Sequence, residues 1–150
     1  MSDMPCTARF ALPLLATAQA QKEVTHNEAL TLLDALVHAA IEDGPLASPP
    51  AVAVSGQCWL VAAGAVDAWA GQTGNLAIRT EGGWRFAAPR RGMRIVRLSD
   101  GAWLRYDGGG WVVPGAIPTP AGGVTIDSEA RSTIAALILV LRAHGLLISG

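Results

Sequence analysis

Charged residues are scarce in this sequence. Asp, Glu, Lys and Arg make up 15% of its 150 residues, whereas 51% of the residues are hydrophobic. An average soluble domain is ~25% charged. This composition argues against intrinsic disorder, which needs low hydrophobicity and high net charge. The 11 basic and 12 acidic residues leave a net charge of −1, which argues against a globally basic nucleic-acid-binding protein.

Cysteine, histidine and long apolar runs are scarce as well. Cys6 and Cys58 are too few for a disulfide framework, and with three scattered histidines they supply no zinc-binding pattern. We therefore expect no metal and no cofactor. The longest apolar run, residues 134–141, falls short of the ~20 residues that span a bilayer, so no membrane insertion is expected. The first residues lack the basic start of a secretory signal, and we expect synthesis in the cytoplasm without export.

The first segment, residues 1–44, consists of a lead-in and a helix. Thr25 and Glu28 have the spacing of a capping box, in which both side chains bind N–H groups of the first helical turn. Apolar residues then recur at helical spacing, at Leu30, Leu33, Leu36 or Val37, and Ile41. Gly44 offers a C-terminal stop, so the pattern predicts a helix that begins at Thr25 and ends before Gly44.

The second segment, residues 56–113, follows a proline-rich linker at residues 45–55. It has short runs of Trp, Val, Ile and Arg separated by glycine turns such as Asp100-Gly101. The runs predict strands at residues 57–62, 76–80, 84–88, 93–98, 102–106 and 111–113. Their spacing of roughly ten residues is typical of a small antiparallel meander or sandwich and not of a parallel α/β sheet.

The third segment, residues 127–145, follows a second proline-rich linker at residues 114–126. It reads as a helix with Asp127 as N-cap and Gly145 just past the C-terminus. Heptad spacing relates Ala130, Ile134, Leu137 and Leu141. A helix this apolar must be enclosed, either by copies of itself or by its own sheet and first helix. We prefer self-association, which gives one compact α+β domain with an oligomerising C-terminal helix.

Two features invite a catalytic interpretation. Cys58 precedes Trp59, as in papain-like proteases, but it lies in a strand-like run without the pattern those enzymes share. Asp100 and Asp107 are the carboxylate pair that a glycosidase would need, yet each is attached to a turn glycine. A structural cysteine and turn-forming aspartates are the simpler interpretations, and we do not expect an enzyme.

Arginine and aromatic residues are concentrated together. Seven of the eleven basic residues are arginines between positions 79 and 105, opposed there by Glu81 and Asp100. Aromatic residues alternate with them. If exposed, such a set suits acidic sugars, and the candidate residues are Trp84, Arg94, Arg97, Trp103, Arg105, Tyr106 and Trp111. Single-stranded nucleic acid would suit the same chemistry. The alternative is that the tryptophans pack the sheet while the arginines solvate its rim.

Several runs of this sequence resemble one family. The most specific is QAQKEVTHNEAL at residues 19–30, and others are LPLL at 12–15, LDAL at 33–36, GQCWLV at 56–61, AWAG at 68–71, GWRFAAP at 83–89 and WLRYDG at 103–108. They are similar to a domain of unknown function in tail-fibre and host-specificity proteins of bacteriophages, prophages and phage-like gene transfer agents. The similarity covers residues 12–113.

The resemblance implies a structural component of a virion or phage-like particle, a spike or tail-fibre subunit that contacts polysaccharide on the host surface. It implies a homo-oligomer, with a trimer favoured, and other virion proteins as partners. Within the oligomer we expect contacts through Leu33, Leu36, Ile134, Leu137 and Leu141. An adaptor that only joins other virion proteins is the alternative, and an envelope glycan hydrolase is the third possibility. The resemblance supplies no catalytic residues.

Overall fold

The computed structural model describes residues 5–15, 22–124 and 126–149. It shows an α+β fold with one helix near each end and antiparallel strands between them, as predicted. The chain separates into two compact units, residues 1–89 and residues 90–150. The division falls inside the predicted strand-rich segment, between its third and fourth strands. We call the two parts the first unit and the second unit.

The first unit carries a small antiparallel sheet. Its elements are α1 (Lys22–Leu36), β1 (Ala40–Ile41), β2 (Cys58–Leu60), a 3₁₀ turn (Asp67–Trp69), β3 (Leu76–Thr80) and β4 (Gly83–Ala87). Strand β3 pairs with β2 on one side and with β4 on the other. The predicted strands of this unit are therefore present. The first and last residues of each lie within two positions of the predicted ones.

Three tryptophans form the core of the first unit. Trp69 is fully buried, and its ring lies 5.1 Å from that of Trp84 at an interplanar angle of 85°. Trp59 meets Trp84 at 5.6 Å and 74°. Edge-to-face geometry of this kind aligns the positive edge of one ring with the negative face of the other. Val61 and Ala77 complete the buried cluster, so a small sheet obtains a large apolar core from few residues.

The predicted bounds of the first helix are wrong. Helix α1 already includes Thr25, which therefore cannot be the N-cap, and it ends at Leu36. His38 then adopts a positive φ of 50°, and Ile41 lies fully buried in β1 instead of on the helix. The reason is a tertiary contact. The guanidinium of Arg9 donates hydrogen bonds to the carbonyls of Asp34, Ala35 and His38. It thereby satisfies carbonyl groups that a longer helix would have bonded to its own N–H groups.

Helix α1 buries a polar side against the N-terminal residues. The carboxylate of Asp34 is buried and accepts hydrogen bonds from the Thr7 hydroxyl at 2.7 Å and from the backbone N–H groups of Arg9 at 2.8 Å and Phe10 at 2.7 Å. The Asn27 side chain binds both backbone groups of Leu15. As a consequence, two of the predicted apolar positions do not face the buried side. Leu33 and Leu36 are exposed.

The second unit has three antiparallel strands and a helix. They are β5 (Arg94–Arg97), β6 (Trp103–Tyr106), β7 (Trp111–Val112) and α2 (Ser128–Ala143). Both predicted helix ends are confirmed. Asp127 accepts a hydrogen bond from the Ala130 N–H at 2.8 Å, and Gly145 follows the helix with φ of 67°. The left-handed conformation is one that glycine adopts without the strain a Cβ would cause.

Helix α2 also binds its surroundings through polar groups. The guanidinium of Arg131 donates to the carbonyl of Gly122, and that of Arg142 donates to the carbonyl of Ile117 at 3.3 Å. Both acceptors belong to the proline-rich linker that precedes the helix. Ile138 is the one buried apolar side chain of α2, while Ile134 and Leu137 are exposed and Leu141 is half-buried. Oligomerisation through these residues stays a prediction.

Candidate functional site

Strand β6 presents an aromatic and a basic side chain on the same face. Along the strand, Trp103 and Arg105 are exposed, whereas Leu104 between them is fully buried. This alternation follows from the two-residue period of a strand, in which successive side chains point to opposite faces. On this period Trp103 and Arg105 share one face and Tyr106 lies on the other, and the alternating burial along β6 agrees with this.

The register of the sheet adds a second arginine to this face. Arg94 of β5 lies directly opposite Arg105, and Val112 of β7 lies on the other side of Arg105. We call Arg94 and Arg105 the arginine pair. No carboxylate of the described residues forms an ion pair with either guanidinium. Like charges directly opposite one another on a sheet repel, and a bound anion would reduce that repulsion. Asp107 lies within electrostatic reach of Arg105 but forms no ion pair with it.

A pocket of about 630 Å³ opens over the arginine pair. Its walls include Arg94, Trp103, Arg105, Val112, His144 and Leu146. The last two follow α2 and reach the sheet because the Trp103 N–H donates to the Gly145 carbonyl at 2.9 Å. A Cβ at Gly145 would collide with the Gly101 carbonyl and the Trp103 ring. Glycine at position 145 therefore allows the backbone to approach strand β6 closely enough for His144 and Leu146 to line the pocket.

The other predicted site residues do not line this pocket. Arg97 makes a two-pronged ion pair with Asp100, with 3.0 Å from Nε to Oδ1 and 2.6 Å from Nη2 to Oδ2. Tyr106 of β6 pairs with Trp111 of the neighbouring strand β7, and their ring centroids lie 5.4 Å apart. Trp84 belongs to the tryptophan core of the first unit. The structure thus brings together Arg94, Trp103 and Arg105.

Asp100 and Asp107 have turn roles. Asp107 accepts hydrogen bonds from the N–H groups of Gly109 and Gly110, and these bonds hold the pKa of its carboxyl below the usual value. The hydrogen bond from Arg97 lowers the pKa of Asp100 in the same direction. A glycosidase needs one carboxyl whose pKa is raised, so that it can serve as a general acid near neutral pH. Neither of these carboxyls has that property.

Cys58 is buried in β2, and its Sγ lies 3.7 Å from the carbonyl oxygen of Gly56. Burial raises the pKa of its thiol to about 11, because a thiolate is poorly solvated there. A nucleophilic cysteine needs the opposite shift. The geometry is that of a structural thiol.

The two cysteines should therefore differ sharply in reactivity. At pH 8 we expect iodoacetamide to modify the exposed Cys6 and to leave Cys58 unmodified in the folded protein. Mass spectrometry of the native protein should show one added group, and the same reaction in denaturant should show two. Rapid native labelling of Cys58 would contradict the burial and would reopen the question of nucleophilic chemistry at this position.

The chemistry available in the pocket is cationic and aromatic. It offers two guanidinium groups, the imidazole of His144 and one exposed indole, and the described residues that line it include no Asp or Glu. Within the described ranges, no group of three or more His, Cys, Asp and Glu side chains is placed to hold a metal ion. No helix in that part of the chain is long and apolar enough to cross a membrane. The pocket suits an anionic ligand that carries a flat or ring-shaped apolar surface.

The chain matches a known protein family. A family model described as "Protein of unknown function (DUF2793)" matches residues 26–112, more than half of the chain. The match includes α1 from His26 onward and all strands of both units, and it ends before α2. No curated protein matches the chain. The matched segment contains the arginine pair and Trp103, whereas His144 and Leu146 lie beyond it.

Proposed function

We propose that this chain, which belongs to the DUF2793 family of proteins of unknown function, is a structural subunit of a phage or gene-transfer-agent particle. The support for this role is the resemblance of its sequence runs to a domain of phage tail-fibre and host-specificity proteins. In this role it contacts acidic polysaccharide on the surface of the host cell. The observation that carries the contact is the placement of Arg94, Trp103 and Arg105 on one face, at a pocket without acidic lining residues among those described.

The arginine pair supplies the charge recognition. A guanidinium presents a planar fork of N–H donors that matches the oxygens of a carboxylate, sulfate or phosphate. Arg94 and Arg105 are adjacent across β5 and β6, so one anionic group placed between them accepts hydrogen bonds from both. An anion there also removes the repulsion between the two side chains. Acidic sugars of bacterial capsules and envelopes carry such groups along a repeating chain.

Trp103 supplies the apolar surface. Its side chain is 44% exposed beside Arg105, although tryptophan is usually well covered in a folded protein. The flat face of an indole packs against the C–H face of a sugar ring, which hydrogen bonding alone does not recognise. The pocket volume of about 630 Å³ lies within the ~300–1,000 Å³ of typical small-ligand sites, so it accommodates a short stretch of a glycan.

Removing the arginine pair should weaken the contact strongly. We expect the double variant Arg94→Ala/Arg105→Ala to bind an acidic capsular polysaccharide at least tenfold more weakly than the wild type, measured by biolayer interferometry at 150 mM salt. The matched control is Arg90→Ala/Arg91→Ala, which removes two exposed arginines of the same unit that do not line the pocket. Both double variants lose two positive charges, so general electrostatic attraction falls equally.

Three outcomes would count against this function. Equal losses in the two double variants would mean that the binding follows net charge and not the pocket. Preference for homopolymeric single-stranded DNA over the polysaccharide would assign the same surface to nucleic acid. A wild-type protein that binds no acidic glycan at all would remove the polysaccharide contact and favour the second candidate.

That second candidate is an adaptor that joins other particle proteins. It is favoured by Leu33 and Leu36 of α1, which are exposed and which the pocket does not use. Exposed leucines on one helical face are typical of contacts with another protein. In the adaptor role, Trp103 would be covered by a partner protein in the particle and not by a sugar.

A further inference from the structure

The pocket over the arginine pair also has an aliphatic side. Val112 of β7 lies directly beside Arg105 in the sheet register, and Pro114 follows Val112 by two residues. Leu146, in the turn after α2, lines the same pocket. We call Val112, Pro114 and Leu146 the aliphatic wall. Val112 is 41% exposed and Leu146 is 54% exposed, so both leave apolar surface open to a ligand.

The sheet register places this wall next to the charges. Neighbouring strands lie ~4.8 Å apart, and residues directly opposite one another on antiparallel strands share a face. Arg94, Arg105 and Val112 therefore form one row across β5, β6 and β7, in which two basic positions are followed by an aliphatic one. A ligand that meets both parts of the row carries its anionic group and its apolar group close together, on the same sugar ring or on adjacent rings.

The aliphatic wall suits a methyl or acetyl group better than a bare sugar ring. An indole offers a flat face to the C–H groups of a sugar, which is the role of Trp103, but branched aliphatic side chains offer no such face. They are stabilised by burial of another methyl group, because hydrophobic stabilisation grows with the apolar area removed from water. A sugar hydroxyl group would lose hydrogen bonds to water at this wall, and none of its three side chains could replace them.

The neighbouring charge argues against a long lipid chain at the wall. The wall consists of three side chains, and Arg105 lies directly beside one of them. A long acyl chain would extend beyond the wall and cover the guanidinium groups, whose burial without a paired anion is costly. A short substituent leaves both arginines accessible to the acidic group of the same sugar.

We propose that the ligand is an acidic sugar that carries a short acyl substituent, an O-acetyl or N-acetyl group. The acyl group lies against the aliphatic wall while the acidic group binds the arginine pair. This inference rests on the proposed polysaccharide contact and names the class of sugar that the contact selects. Leu146 lies beyond the segment that the family model matches, so its share of the selectivity belongs to the C-terminal turn of this chain.

Alginate, a polymer of uronic acids, supplies a matched pair of probes. Chemical O-acetylation adds acetyl groups to it without changing the number of carboxylates. By biolayer interferometry at 150 mM salt, we expect the wild type to bind O-acetylated alginate about three- to tenfold more tightly than unmodified alginate, the gain from burying a group of methyl size.

Leu146→Ser should reduce this preference to about twofold or less, because it removes most of the apolar surface that the turn contributes. Leu98→Ser is the matched control. Leu98 is an equally exposed leucine of the same unit, at 55%, and does not line the pocket, so its variant should keep the wild-type preference. Both variants should bind unmodified alginate as tightly as the wild type does, since neither change alters the arginine pair.

The outcomes separate this inference from the proposed function. Equal binding of the two alginates by the wild type would overturn the inference and leave the polysaccharide contact standing. A preference that both variants lose, or that both keep, would also overturn it, because the acetyl group would then be recognised elsewhere. Binding to neither alginate would contradict the polysaccharide contact itself. Tighter binding to anionic phospholipid vesicles than to either alginate would assign the aliphatic wall to a lipid chain.

Discussion

Replacing Trp69 by alanine is expected to lower the free energy of unfolding by about 3–5 kcal/mol, the usual cost of removing a buried tryptophan side chain. Trp69 is fully buried and packs edge-on against Trp84, which in turn contacts Trp59. The variant leaves a cavity at the centre of this cluster, and the sheet of the first unit is too small to close over it. Urea denaturation followed by far-UV circular dichroism measures the loss.

Trp103→Ala is the control for this experiment, since it removes the same side chain from an exposed position. We expect it to change the free energy of unfolding by less than about 1 kcal/mol. Trp69→Phe should fall between the two, because it retains most of the buried ring and removes an indole N–H that has no hydrogen-bond partner among the described residues. Equal destabilisation by Trp69→Ala and Trp103→Ala would show that the tryptophan cluster is not the core.

Replacing Asp34 by alanine should release the N-terminal residues from α1. The change removes the acceptor of three hydrogen bonds, from the Thr7 hydroxyl and from the N–H groups of Arg9 and Phe10. Hydrogen bonds to a charged group each contribute about 1.5–3 kcal/mol, and the lost bonds are only partly replaced by water. We expect a destabilisation of about 3 kcal/mol and faster hydrogen exchange at the Arg9 and Phe10 amides.

Asp34→Asn removes the negative charge of the side chain while nearly keeping its size. The amide has nearly the size of the carboxylate but offers one acceptor oxygen instead of two, so it retains part of the network and should cost about half as much. Hydrogen exchange resolved by NMR distinguishes local release from global unfolding. If the Arg9 and Phe10 amides exchange as slowly in Asp34→Ala as in the wild type, the carboxylate does not hold this segment.

Strands β2 to β7 were predictable from the sequence, whereas β1 and the ends of the first helix were not. Strand β3 has its predicted bounds, because a short alternating run between turn glycines has few other ways to satisfy its backbone. The end of α1 depends on Arg9, which lies 25 residues before Asp34 in the chain. A leucine pattern predicts an apolar buried face, yet the buried side chains among the described residues of α1 are Asp34, which accepts three hydrogen bonds, and Ala35. Local periodicity cannot reveal a polar partner that arrives from elsewhere.

The candidate site also contains residues that the sequence placed correctly and residues that it did not. The two-residue period of β6 was enough to place Trp103 and Arg105 on one face. The position of Arg94 opposite Arg105 depends on strand register, which no property of either strand alone determines. His144 and Leu146 were missed because they reach the pocket through the turn at Gly145, and the predicted helix stop was the one local signal of that turn.

The facing guanidinium groups also couple occupancy of the pocket to the stability of the second unit. While the pocket is empty, their mutual repulsion works against the pairing of β5 and β6. A bound anion removes that strain in addition to the stabilisation that any ligand confers on the folded state by mass action. Anion binding at the arginine pair should consequently stabilise the second unit by more than mass action alone provides.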